Sequence, residues 1–170
     1  MALTLDATAK GASANAYCTR AEADSYHEAR LHNEDWDGAS NAEKEAAIVW
    51  ATSLLDTQMD WKGSKTTSAQ FLRWPRTGVV DKEGASVDED TIPQFLINAT
   101  AEFARLLILE DRTAEQSGDE YEEIRVGPIM LKMRITSKKQ LISDIVYDFL
   151  KYYGDVYLGR DSMAVKLVRA

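Results

Sequence analysis

Two Ser/Thr-x-x-Glu motifs constrain this chain more than any other feature: Thr19-Arg20-Ala21-Glu22 and Ser40-Asn41-Ala42-Glu43. In such a capping box the hydroxyl accepts from the backbone N–H three residues on, and the glutamate reaches back to the cap N–H. Each box therefore fixes a helix start. After the first, Ala23, Tyr26, Ala29 and Arg30 share a face, which predicts a helix over about 20–32, with Asn33 to Gly38 turn-like. After the second, Ala46, Ala47, Val49, Trp50, Leu54, Leu55 and Met59 form a broad apolar stripe and predict a helix over about 41–59. Two capped helices with a short linker are expected to pack as an antiparallel hairpin.

Residues 60–90 break the pattern. They hold Trp61, Gly63, Trp74-Pro75, Gly78 and Gly84 without a sustained period, and read as a long structured loop pinned by its tryptophans, of the kind used for function or an interface. Pro93 suits a first helical position. Phe95, Leu96, Ala99, Phe103, Leu106, Leu107 and Leu109 then predict a third helix over about 93–114, central because of its run of apolar residues. Gln116 to Glu123 is an acidic, solvated loop. Tyr121–Val126 and Ile129–Ile135 flank Gly127-Pro128 and read as a hairpin. Thr136/Ser137 opens a fourth helix over about 138–153, ended by Gly154. The expected fold is mostly α: a small bundle of about four helices over 19–154, with the long loop and a short β-hairpin near 121–135. A polar, extended or poorly ordered arm over 1–18 precedes it, and an extended C-terminal tail over 155–170 follows. Trp50, Leu54, Phe103, Leu106, Leu107, Ile145 and Phe149 are expected in one core.

Charge and residue counts narrow the function. Lys+Arg total 20 and Asp+Glu 28, a net charge of −8, which argues against a nucleic-acid module with a basic face. A single cysteine, Cys18, excludes an internal disulfide and a Cys-rich zinc site. His27 and His32 are five apart, a poor spacing for a helical metal pair, and read as exposed or half-buried polar residues. Glu34, Asp35 and Asp37 miss the order of a calcium loop and read as a solvated turn. No phosphate loop, dinucleotide fingerprint or nucleophile elbow occurs, and Glu122 and Glu123 lack the apolar surroundings of a general acid. No catalysis, metal or cofactor is expected. No apolar run is long enough for a membrane span, and the N-terminus lacks the pattern of a signal peptide, so the default compartment is the cytosol.

One stretch keeps two readings open. Trp61-Lys62-Gly63 and Phe71-Leu72-Arg73-Trp74-Pro75-Arg76 interleave basic and aromatic residues, the composition of a single-strand stacking platform. Alternatively, the tryptophans fill the core, Trp74 anchors the loop, Pro75 sets its turn, and Arg73 or Arg76 is held by a carboxylate.

Taken as a series, several segments resemble a known family. They are Tyr17, Thr19-x-x-Glu22-Ala23-Asp24-x-Tyr26, Arg30-Leu31, Trp36, Glu43-Lys44-Glu45-Ala46-Ala47-Ile48, Leu55-Asp56, Trp61-Lys62-Gly63, Leu72-x-Trp74-Pro75-Arg76-Thr77-Gly78 and Ile92-Pro93. The series resembles the tailed-bacteriophage head–tail connector or adaptor family, also described as a DnaT-like single-stranded-DNA-binding domain. The likeness covers about residues 17–110. It extends more weakly to Val126-Gly127-Pro128 and Val165-Lys166-Leu167-Val168-Arg169.

The resemblance implies a structural virion protein, made in the host cytoplasm and placed at the head–tail junction. It would form a homo-oligomeric, commonly dodecameric ring beneath the portal protein, with a stopper or tail/neck protein as the next partner. Genomic DNA would pass through its channel without sequence-specific binding, and an acidic lumen suits sliding DNA. Trp61, Trp74, Pro75 and Arg76 would then anchor the loop or form a subunit interface. Met163, Val165, Lys166, Leu167, Val168 and Arg169 of the tail would dock on the portal. The alternative is a DnaT-like single-stranded-DNA-binding module.

Overall fold

The computed structural model describes residues 3–114, 120–126, 129–135 and 140–157, the stretches 120–126 and 129–135 as backbone. Among them are five α-helices, and the fold is mostly helical. Both capping boxes form. Thr19 Oγ1 accepts from the Glu22 N–H at 3.2 Å while Glu22 Oε2 accepts from the Thr19 N–H at 2.7 Å, opening α1 (Arg20–Glu28). Ser40 and Glu43 repeat the exchange at 3.3 and 2.8 Å and open α3 (Asn41–Gln58). The segment read as a turn, Asn33 to Gly38, instead holds a short helix, α2 (Glu34–Gly38), because Trp36 is buried and draws one turn of backbone against the core.

α4 (Gln94–Leu109) begins one residue later than expected, with Pro93 as its extended N-cap. It is buried nearly all round from Leu96 to Arg105 and packs against α1, α2, α3 and α5 (Asp144–Leu150), so it is the central element. Its burial comes from the middle of the helix, not from the leucine run: Leu106 and Leu107 are half-buried and Leu109 is exposed. α1 packs chiefly on α4 rather than forming a hairpin with α3.

Leu54 and Phe103 lie in the core and Phe149 packs partly buried on it. Trp50 and Ile145 do not: they are 47% and 44% exposed. The buried arc of α3 is centred near Ala51 and Leu55, and at about 100° per residue Trp50 falls roughly a third of a turn away. On α5 the inward positions are Val146 and Leu150, one residue out of phase with Ile145. At the N-terminus, Ala14, Ala16, Tyr17 and Cys18 are buried, so this end of the segment expected as a loose arm is part of the core. The Tyr17 N–H donates to Thr52 Oγ1 at 3.1 Å and ties it to α3.

Short strands stitch the long loop down. β1 (Met59–Trp61) pairs antiparallel with β6 (Gly154–Val156), and β2 (Ser64–Lys65) with β3 (Arg76–Thr77). Gly154 thus belongs to a strand rather than stopping a helix. A Cβ there would meet the Asp60 carbonyl at 2.8 Å, so a side chain would block the pairing. Gly63 turns the chain between β1 and β2 at φ +68°, a left-handed conformation suited to glycine. The hairpin is present as β4 (Glu120–Val126) and β5 (Ile129–Ile135), in register from Glu120–Ile135 to Val126–Ile129.

Candidate nucleic-acid interface

The loop between α3 and α4 is built around buried aromatic rings. Trp61 and Trp74 meet edge to face at 5.6 Å, Trp74 meets Phe95 of α4 likewise at 5.5 Å, and Phe95 stacks flat on Tyr153 at 3.6 Å. Trp74 is 1% exposed, and both indole N–H groups are buried without a hydrogen-bond partner. Pro75 is buried after a cis peptide bond. Neither tryptophan can offer a face to a base, so the stacking platform in its simple form is not built; the core-filling alternative is.

Arg76 corrects the expectation that a carboxylate holds the loop's arginine. Its Nε donates to the Lys62 carbonyl at 2.6 Å and Nη1 to that of Arg73 at 3.2 Å. Nη2 donates to the carbonyls of Trp61 at 3.2 Å and Gly63 at 2.6 Å. The planar fork of a guanidinium has the donors to satisfy four carbonyls at once, which an ammonium does not. Arg73 is held through its backbone instead, its N–H donating to Asp56 Oδ2 at 3.1 Å. Asp56 also accepts from the Tyr17 hydroxyl, and burial pushes the Asp56 carboxyl up from its ordinary value.

An exposed rim remains above this buried frame. Phe71 is 66% exposed, and Lys62 and Arg73 are also exposed. The half-buried Lys65 donates from Nζ to the Gln70 and Phe71 carbonyls at 2.9 and 3.0 Å, which places an ammonium at the base of the Phe71 turn. Lys62 Nζ donates to the Tyr152 carbonyl at 2.9 Å, joining the loop to the end of α5. A cavity of about 440 Å³ opens beside the rim, lined by Asp56, Asp60, Trp61, Arg73, Arg76 and Tyr157. The arrangement offers one exposed aromatic ring with the Lys65 ammonium at the base of its turn and the exposed Arg73 two positions on, and a neighbouring cavity that carries the carboxylates of Asp56 and Asp60.

A second polar cluster went unseen in the sequence. Glu102, fully buried on α4, accepts from Arg30, Arg105 and the Tyr26 hydroxyl, and Arg105 reaches Asp35 at 3.4 Å. Its signal was a carboxylate within an apolar helix. Burial, with the Glu102 charge beside it, pushes the Tyr26 phenol up to about 12. His27, expected to be exposed or half-buried, is fully buried: Nε2 lies 3.1 Å from the Ala101 carbonyl and the ring lies 4.5 Å from Trp36. Since a carbonyl only accepts, Nε2 carries the proton, leaving Nδ1 bare and without a partner. Cys18 is likewise buried, which pushes its thiol up and away from nucleophilic use. Among the described residues no group of His, Cys, Asp and Glu could hold a metal ion, and no helix is long and apolar enough to cross a membrane.

The tail residues Met163, Val165, Lys166, Leu167, Val168 and Arg169 lie outside the described residues. Trp61, Trp74, Pro75 and Arg76 come together as one buried knot, with only part of Arg76 and Trp61 reaching the cavity.

No curated protein and no solved structure matches the chain. A family model does, over residues 1–170, and its description names DNA binding rather than a head–tail connector. The chain belongs to the family described as "Putative DnaT-like ssDNA binding protein".

Proposed function

We propose that this chain contacts single-stranded DNA through the rim of the α3–α4 loop. Phe71 stacks on a base while Arg73, Lys62 and Lys65 meet flanking phosphates. The observation that carries this reading is the exposure of Phe71 on a turn whose base holds the Lys65 ammonium, in a chain that belongs to a DnaT-like family. Base–aromatic stacking accepts any base, so the contact is sequence-tolerant. The net charge of −8 keeps it weak, and the release of counterions at each phosphate contact makes it salt-dependent. Fluorescence anisotropy with labelled oligo-dT tests it. Binding should appear at low salt and fall linearly in log K against log salt; no binding at about 50 mM salt overturns it.

A second reading is favoured by a different observation. The β4–β5 hairpin pairs with no other strand among the described residues, as suits an element that meets a neighbouring molecule. In this reading the chain is a phage head–tail adaptor, a ring beneath the portal protein with a stopper or neck protein below it, located at the virion's head–tail junction. Its acidity then lines a channel that lets DNA slide. Electron microscopy of the protein mixed with portal-bearing heads tests it: no added ring below the portal rejects it. Neither reading calls on catalysis.

A further inference from the structure

The cavity of about 440 Å³ beside the loop rim brings together Asp56, Asp60, Arg76 and Tyr157. Arg76 is only 8% exposed, and a guanidinium carries five N–H donors. Four of them meet the carbonyls of Trp61, Lys62, Gly63 and Arg73, which leaves one N–H on Nη1 without an acceptor among the described residues. A spare donor on a buried charge favours a ligand that accepts from it, because leaving it unmade carries the cost of desolvation. The two carboxylates differ in what they can still accept. Both oxygens of Asp56 are taken, Oδ1 by the Tyr17 hydroxyl and Oδ2 by the Arg73 N–H. Asp60 is exposed, and neither of its oxygens accepts a hydrogen bond from a described residue. It stands opposite Asp155 in the β1–β6 ladder, where like charges repel, so donors brought to it relieve that repulsion. Tyr157, 64% exposed, adds a ring at the same cavity.

We propose that this cavity takes one guanine base of a bound single strand. The inference rests on the DNA contact at the rim. One donor beside two acceptors is the complement of the guanine pairing edge, on which O6 accepts while N1–H and the N2 amine donate. O6 accepts from Arg76 Nη1, N1–H and N2–H donate to the two oxygens of Asp60, and the base lies on the Tyr157 ring. Splayed bases of single strands are held in this way, by stacking and by their pairing edges. The other bases fit less well. Cytosine and thymine each leave an acceptor facing a carboxylate oxygen, and adenine offers a single donor group on that edge. Phe71 stays tolerant of sequence, and the cavity adds a preference at one position.

Fluorescence anisotropy at about 50 mM salt tests this with labelled oligo-dT and with the same strand carrying one central dG, dA, dC or deoxyinosine. The dG strand should bind about tenfold more tightly than oligo-dT, the discrimination of one good bidentate base contact. dA and dC should give no comparable gain. Deoxyinosine, which lacks the N2 amine, should lose most of it. Asp60→Asn should bring the ratio of dG to dT affinity close to one, because its amide nitrogen meets a donor with a donor. Free dGMP should compete far more weakly than the dG strand, since it lacks the rim contacts. A dG strand no tighter than oligo-dT overturns the inference and leaves the rim contact standing, whereas no binding of any strand overturns both. A deoxyinosine strand as tight as the dG strand overturns it too, and that comparison needs no variant, so it decides even if Asp60→Asn fails to fold. So does dGMP bound as tightly as the dG strand, because the site would then serve a free nucleotide.

Discussion

Arg30 and Glu102, seventy-two positions apart, meet inside the protein with Arg30 Nε 2.8 Å from Glu102 Oε2. Arg105, one turn along α4, takes the other oxygen, with Nη2 2.8 Å from Oε1. Glu102 has no solvent exposure, and among the described residues its charge is compensated by these two guanidinium groups and by the Tyr26 hydroxyl. The same Arg30 donates from Nη1 to the Leu31 and His32 carbonyls, each at 2.8 Å, and so fixes the turn that ends α1.

Removing the carboxylate should therefore cost more than a surface pair would. Glu102→Ala leaves the largely buried Arg105 with only its longer contact to Asp35, at 3.4 Å, and is expected to destabilise by about 3–5 kcal/mol. Urea denaturation checks it. A loss under about 1 kcal/mol, the range of an exposed pair, means that water reaches the cluster.

His27 predicts a dependence on pH. Burial holds its imidazole below the ordinary value of about 6.5, since charging the ring would place a proton on a nitrogen with no partner. Below that value the unfolded chain binds the proton and the folded one does not. The contribution to stability is thus complete above about pH 6.5 and is lost as pH falls through the folded value. His27→Gln keeps a donor for the Ala101 carbonyl and does not titrate. Between about pH 7.5 and 5 the wild type should lose more stability than this variant. Equal losses place the acid sensitivity elsewhere.

Phe103 and Trp50 test the position of the core. Phe103 is 0% exposed on α4, and Phe103→Ala is expected to cost about 3–5 kcal/mol from lost transfer energy and the cavity left behind. Trp50→Ala, on the flank of α3, should cost about 1 kcal/mol or less. Thermal melts of the two variants measure the contrast, and similar losses would mean that Trp50 is covered in solution.

The sequence disclosed what is local. Both capping boxes, the apolar stripes and the β4–β5 hairpin depend on residues a few positions apart, and each formed. It disclosed much less where partners are distant. The pairing of Trp61 with Gly154 joins segments that no period connects, and the burial of Ala14–Cys18 depends on α3. Apolar character alone placed Trp50 and Ile145 inward, although helical phase leaves both on the flank. In the loop, residue type announced aromatic anchoring, but nothing in the order of residues says that Arg76 would serve carbonyls rather than a carboxylate. The same folding removed Trp61 and Trp74 from the candidate surface and left Phe71 as its exposed ring.

Trp74 and Arg76 should control the loop more than the helices. Arg76→Lys cannot satisfy the carbonyls of Trp61, Lys62, Gly63 and Arg73 together, and unmade buried hydrogen bonds cost about 1–3 kcal/mol. Trp74→Ala removes the ring between Trp61 and Phe95. Limited proteolysis should cut both variants within residues 60–90 before the helices are attacked. A loop as resistant as wild type in Trp74→Ala would show that Trp74 is not its anchor.

Phe71 and Arg73 separate the two parts of the proposed DNA contact. Stacking is insensitive to counterions, so Phe71→Ala should weaken oligo-dT binding by about 1–3 kcal/mol without changing the salt slope. A phosphate contact releases a counterion, so Arg73→Ala should lower that slope by about 0.7. Both side chains are exposed, and neither substitution should disturb the buried knot of Trp61, Trp74 and Arg76 beneath them. Trp50→Ala serves as the control for a general aromatic effect, because that ring belongs to α3 outside the loop. If Phe71→Ala binds like wild type at about 50 mM salt while Trp50→Ala does not, the bases lie along α3, and the rim is only the outer edge of a structural loop.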